Sequence, residues 1–148
     1  MESNYSKIIS KVNELIDLRL DKGTQPSELM ENISSDGYVE VSAKKVFDGI
    51  HCSVVFFDDN IFDKARLKYK YVYIYDKEMY LNEIKLIKNK SESTVWSRKL
   101  EERRMLEQLI ELYNKSNLNN YHKTQFIKSL PMDLYKILTE KHCNGLIG

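Results

Sequence analysis

Residues 67–75 alternate without a break. Leu67, Tyr69, Tyr71, Tyr73 and Tyr75 hold the odd positions, and Lys68, Lys70, Val72 and Ile74 the even ones. Successive side chains of a strand point to opposite faces, so a period of two predicts a β-strand with one aromatic face and one mixed basic and aliphatic face. A helix would scatter the same tyrosines around its circumference. Asp76-Lys77-Glu78 then turns the chain into a second run over 79–88, and the two runs read as a hairpin.

An earlier hairpin is signalled by Asp48-Gly49 between two alternating runs, a pair suited to a two-residue turn that needs positive φ. Pairing Phe47 with Ile50 sets Lys45 opposite Cys52, Ala43 opposite Val54 and Val41 opposite Phe56. One face then carries Val39, Val41, Ala43, Phe47, Ile50, Cys52, Val54 and Phe56, apolar except for Lys45, and is expected to face the core. The other face mixes Glu40, Ser42, Lys44, His51 and Ser53 with Val46, Val55 and Phe57. A short capped helix over 42–47 is the competing reading.

Around this predicted four-stranded antiparallel sheet the pattern turns helical. Tyr5, Ile8, Ile9, Val12, Leu15 and Ile16 form one apolar stripe of a helix over 4–22, with Gly23 as its stop. Thr24, Pro26 and Ser27 open a short turn carrying Leu29, Met30 and Ile33. Ser93 or Thr94 is expected to cap a long helix with Trp96, Leu100, Leu106, Leu109, Ile110 and Tyr113 on its stripe. The polar stretch 114–120 reads as a linker, followed by a helix over 121–129 and another from Pro131 that ends at Asn144-Gly145.

The predicted fold class is therefore α+β: an N-terminal helix, a four-stranded antiparallel sheet of two hairpins over about 38–88, and two or three C-terminal helices over 93–143, packed on one sheet face. A length of 148 residues suits one domain with its own core, expected to include Ile9, Val12, Ile16, Val54, Phe56, Leu100, Leu109, Ile137 and Leu138.

The N-terminus shows neither a basic nor an apolar leader region, and no apolar run reaches the ~20 residues of a membrane span. Cys52 and Cys143 read as free thiols of a reducing compartment, and the expected location is cytoplasmic, with no membrane partner. Only two alanines, Ala43 and Ala65, beside abundant Lys, Asn, Ile and Tyr suit an AT-rich genome: a low-GC bacterium, its phages or mobile elements, or a virus.

Motifs of chemistry are sparse. The five glycines are too dispersed for a phosphate-cradling loop, so no cofactor is expected. His51-Cys52 and His142-Cys143 lack metal-binding spacing, because adjacent strand residues point apart. Glu83-Ile84-Lys85 has the Glu-x-Lys spacing of metal-dependent nucleases, with Asp58, Asp59 or Asp76 as a further carboxylate. The spacing is common by chance, and an enzyme is not the leading expectation.

Charge is divided unevenly. Residues 1–63 hold 6 basic and 12 acidic side chains, and residues 64–104 hold 12 and 6. The second segment contains Arg66, Lys68, Lys70, Lys85, Lys88, Lys90, Arg98, Lys99, Arg103 and Arg104, interleaved with tyrosines. Cations neutralise phosphates and aromatics stack on bases, so this segment is the candidate macromolecule-binding site. The leading expectation is a non-enzymatic accessory regulator or inhibitor that binds another protein. A nucleic-acid-binding regulator using residues 64–104 comes second, and a metal-dependent nuclease third. The long helix, with both signs of charge, offers a face for a partner or for a homodimer.

Overall fold

The computed structural model describes residues 4–35, 37–58, 67–116 and 118–141. The chain forms two compact units: Leu15–Arg104, and Met1–Glu14 with Met105–Gly148. The α+β class stands, with five strands in place of four. Helix α1 spans Asn4–Leu20, two residues shorter than expected, and α2 spans Pro26–Glu31, continued by a 3₁₀ turn at Asn32–Ser34. Strands β1 (Tyr38–Val46), β2 (Gly49–Asp58), β3 (Leu67–Asp76), β4 (Leu81–Lys88) and β5 (Ser91–Ser97) follow, then α3 (Arg98–Lys115), α4 (Asn120–Lys128) and α5 (Met132–Lys141).

The strands pair antiparallel in sequence order, a meander with β1 and β5 at its edges. The fifth strand corrects the sequence reading. Asn89, in the left-handed region at φ 53°, and Lys90 reverse the chain, so that Lys88 pairs with Ser91 and Ile84 with Trp96. The sheet thus runs to residue 97, and the helical part begins at Arg98, not near 93. Ser93 and Thr94 have the chemistry of caps, but they lie mid-strand; Ser97 Oγ instead accepts from the Leu100 amide at 3.3 Å. Trp96 therefore belongs to the sheet, and Leu100, on the first helical turn, is exposed.

The first hairpin also differs in detail. Val46 pairs with Gly49, so the two turn residues are Phe47 and Asp48, and Lys45 faces Ile50, Ala43 faces Cys52 and Val41 faces Val54. The register lies two residues from the expected one, which leaves the inward face unchanged but removes Phe47 from it. Phe47 is 96% exposed. Gly49 serves a close approach: it sits opposite Asp76, and a Cβ built on it would lie 1.9 Å from the Tyr75 carbonyl oxygen. Among the described glycines, positive φ is confined to Gly23 and Gly37.

The core of Leu15–Arg104 joins Leu29, Cys52, Val54, Tyr75 and Leu81, flanked by Val41, Ile50, Tyr71, Tyr73, Met79, Ile84 and Trp96. The link after α1 is fastened to the β3–β4 turn. The Leu81 amide donates to Lys22 O at 2.8 Å, Gln25 Nε2 to Gly23 O and Met79 O at 3.1 Å, and the Tyr75 hydroxyl to Thr24 O at 2.5 Å. The turn itself is organised by Asp76, whose carboxylate accepts from the Glu78 and Tyr80 amides and from Asn82.

In the helical unit Ile8, Val12, Leu106, Leu109, Ile110, Tyr113, Phe126, Ile127, Leu130 and Leu134 are buried. Tyr113 and Phe126 stack at 6.1 Å, and Asn119 caps α4 by accepting from the His122 amide at 2.8 Å. Of the expected core, Val12, Val54 and Leu109 are buried, Ile9, Ile16 and Phe56 are half-buried, and the side chains of Ile137 and Leu138 lie outside the described residues, as do Asn144 and Gly145.

Candidate functional site

The sheet register sorts the basic segment by face. Val55 pairs with Lys70, Lys70 with Ile87 and Ile87 with Glu92; Ser53 pairs with Val72, Val72 with Lys85 and Lys85 with Thr94; His51 pairs with Ile74 and Ile74 with Glu83. Residues paired across neighbouring strands share a face. Lys68, Lys70 and Lys85 therefore stand on one side of the sheet with Val55, Val72, Ile74 and Ile87. Tyr69, Tyr71, Tyr73 and Tyr75 stand on the other.

The tyrosine side is the packed one. Tyr75 is 1% exposed, and Tyr71 and Tyr73 lie against the core cluster. Phe56 stacks on Tyr71 at 5.2 Å and meets Tyr69 at 5.5 Å. Burial raises the phenol pKa of Tyr73 and Tyr75 above the usual value, the neighbouring phenols and the Cys52 thiol adding smaller contributions. Rings held this way stabilise the sheet; they are not splayed for stacking on bases.

The lysine side holds a depression of about 480 Å³ lined by Glu40, Ser42, Ser53, Val55, Lys68, Tyr69, Lys70, Ile87 and Asn89. Val55 is buried at its floor, while Val72, Ile74 and Ile87 are half-buried. Lys85 is held by Glu92 at 2.9 Å, and that hydrogen bond and charge raise its pKa. Among the described residues Lys68 and Lys70 have no acidic partner.

The remaining basic candidates are dispersed. Lys88 pairs with Tyr69 on the tyrosine side, its Nζ 5.2 Å from that ring. Arg98 is structural. Its guanidinium donates to Leu81 O and Asp21 O at 2.8 Å each and to Leu18 O, and it lies over the Tyr80 and Trp96 rings. Lys99, Arg103 and Arg104 are exposed on α3, where Arg104 contacts Glu101 at 2.7 Å, and Lys90 sits in the β4–β5 turn. Arg66 lies outside the described residues. The nine described cations thus divide among two sheet faces, a turn and a helix.

Comparisons of the chain with protein-family models, with curated proteins and with solved structures give no match. The chemistry of the surface carries the functional reading.

For the nuclease pair, Glu83 and Lys85 do share a face, but each has another partner: Glu83 Oε1 accepts from Thr94 Oγ1 at 3.1 Å and Lys85 binds Glu92. Among the described residues no three metal-ligating side chains cluster. Asp59, His142 and Cys143, and the side chain of Asp58, lie outside the described set. Cys52 is a buried free thiol whose pKa is raised by that burial, the opposite of an activated nucleophile. No helix among the described residues is long and apolar enough to cross a membrane.

The sequence reading did not single out Val72, Ile74 and Ile87 as surface features. The signal was present: aliphatic residues occupy the polar parity of β3 and β4, where a solvated face would carry polar side chains throughout. A second depression, of about 420 Å³, lies in the helical unit among Tyr5, Leu118, His122, Gln125, Phe126 and Ser129.

Proposed function

We propose that this chain is a non-enzymatic accessory regulator or inhibitor that docks on another protein through the lysine side of its sheet. The carrying observation is the composition of that face: Val55, Val72, Ile74 and Ile87 interleaved with Lys70 and Lys85, with Lys44, Lys68, Glu40 and Glu83 toward its margins. Aliphatic side chains set among charges suit a protein interface, in which the apolar area supplies affinity and the charges orientation. The AT-rich composition fits an accessory protein of a phage, mobile element or virus.

Nucleic-acid binding is the second reading, favoured by Lys68 and Lys70, which have no acidic partner among the described residues. The packing of Tyr71, Tyr73 and Tyr75 and the use of Arg98 as a brace weigh against it. Affinity capture from the native host, with and without nuclease and at low and high salt, separates the two. A discrete protein retained through both treatments is the expected result. Nucleic acid alone, released by salt, would replace the docking reading with the second one.

A further inference from the structure

We propose that a second copy of this chain pairs with the free edge of β1, the two β1 strands running antiparallel about a two-fold axis at Ser42. This pairing uses the edge of the sheet and shares only Glu40 and Lys44 with the margin of the docking face; it is read on the purified chain without any partner, so either proposal can fail without the other.

Among the described residues strand β1 pairs only with β2, and seven of its nine residues are exposed. Ala43 is among them, although it shares the face on which β2 buries Cys52 and Val54. An exposed edge presents unpaired N–H and C=O groups to any incoming strand. Three charges, Glu40, Lys44 and Lys45, guard this edge against strands that do not match them. The strand has no proline, and its irregularity is confined to Val39, leaving a regular ladder from Glu40 to Val46.

Charge decides the occupant and the register. In a two-fold antiparallel pair, facing residues must share a face and point their amides the same way, so the axis must pass through a residue position. With the axis at Ser42, Glu40 faces Lys44 twice, Ser42 faces Ser42 and Val41 faces Ala43. Shifting the axis to Val41 sets Glu40 against Ser42; shifting it to Ala43 sets Glu40 against Val46 and Lys44 against Ser42. An axis at Glu40 or Lys44 brings like charges face to face, which is unfavourable. Only the Ser42 register matches opposite charges. Within one chain neither Glu40 nor Lys44 has an ion-pair partner among the described residues. The opposite edge offers no such match: the single charge of β5, Glu92, is already held by Lys85.

Sedimentation velocity over a micromolar-to-millimolar concentration series tests the pairing. Wild type is expected to show a monomer–dimer equilibrium weakened by salt. E40K and K44E each replace two attractive pairs by two repulsive ones and should weaken the dimer by about tenfold or more. Mixed together, these two variants regain opposite charges at all four positions and should form a heterodimer, and the double variant E40K/K44E should dimerise as wild type does. A wild type that stays monomeric, single variants that dimerise unchanged, or a mixture that stays monomeric would each overturn the proposal.

Discussion

Gly49 and Tyr75 meet backbone to backbone, leaving no room for a side chain: a Cβ on Gly49 would fall 1.9 Å from the Tyr75 carbonyl oxygen and 2.9 Å from its carbon. The obstacle is main chain at the end of the β2–β3 ladder, which a rotamer change cannot relieve. Gly49→Ala is expected to destabilise the protein by about 3 kcal/mol or more, read as a lowered urea midpoint. An unchanged midpoint would mean that β2 and β3 do not approach as described.

The second prediction concerns alkaline pH. Burial raises the phenols of Tyr73, Tyr75 and Tyr113 above their ordinary value of 10.0. In the unfolded chain they ionise at that ordinary value, while the folded state holds the proton longer. Their contribution to stability is therefore complete below about pH 10 and is lost as pH rises toward the folded values. Urea midpoints should fall between about pH 10 and pH 11, with a shallower fall in Tyr75→Phe. A pH-independent midpoint across that window would contradict the burial of these rings.

Arg98 supplies the third. Its guanidinium bridges Leu18, Asp21 and Leu81 carbonyls, tying the end of α1 to the start of β4 and of α3. Lysine cannot reproduce a planar fork of donors. Arg98→Lys and Arg98→Ala should both lower stability, by about 2–4 kcal/mol for alanine. If Arg98 instead bound a ligand, alanine would leave the urea midpoint near wild type.

The fourth concerns the remaining cations. Lys68→Glu and Lys70→Glu, combined with Arg103→Glu and Arg104→Glu, should leave the fold intact, because all four sites lie at the surface or partly exposed. If nucleic acid were the partner, this variant would lose binding and its salt dependence together. The docking account predicts negligible salt-resistant nucleic-acid binding by wild type, measured by fluorescence anisotropy.

Much of this fold was legible in the sequence, and the departures have local causes. The tyrosine ladder determined β3 and its faces because period two allows no other regular structure. The strand β5 was obscured because Ser93 and Thr94 have the hydrogen-bonding chemistry of helix caps and because an edge strand needs no apolar alternation. Asp48-Gly49 suggested a turn for the conformational freedom of glycine, whereas Gly49 is required for its missing side chain; the hairpin was found and its register shifted. At the candidate site, the sequence grouped cations by proximity along the chain. The pleat separated Lys68, Lys70 and Lys85 from Lys88, and the hydrogen bonding of Arg98 is a long-range property that no local pattern announces.

The docking face itself is tested most directly by repeating the host capture, nuclease-treated and at high salt, with wild type beside a Val72→Asp/Ile87→Asp variant shown to be folded by circular dichroism. The account predicts a discrete protein partner retained by wild type and lost by the variant, because buried carboxylates at the centre of an interface would be left unpaired. Equal recovery of that partner by both proteins would contradict docking through this face.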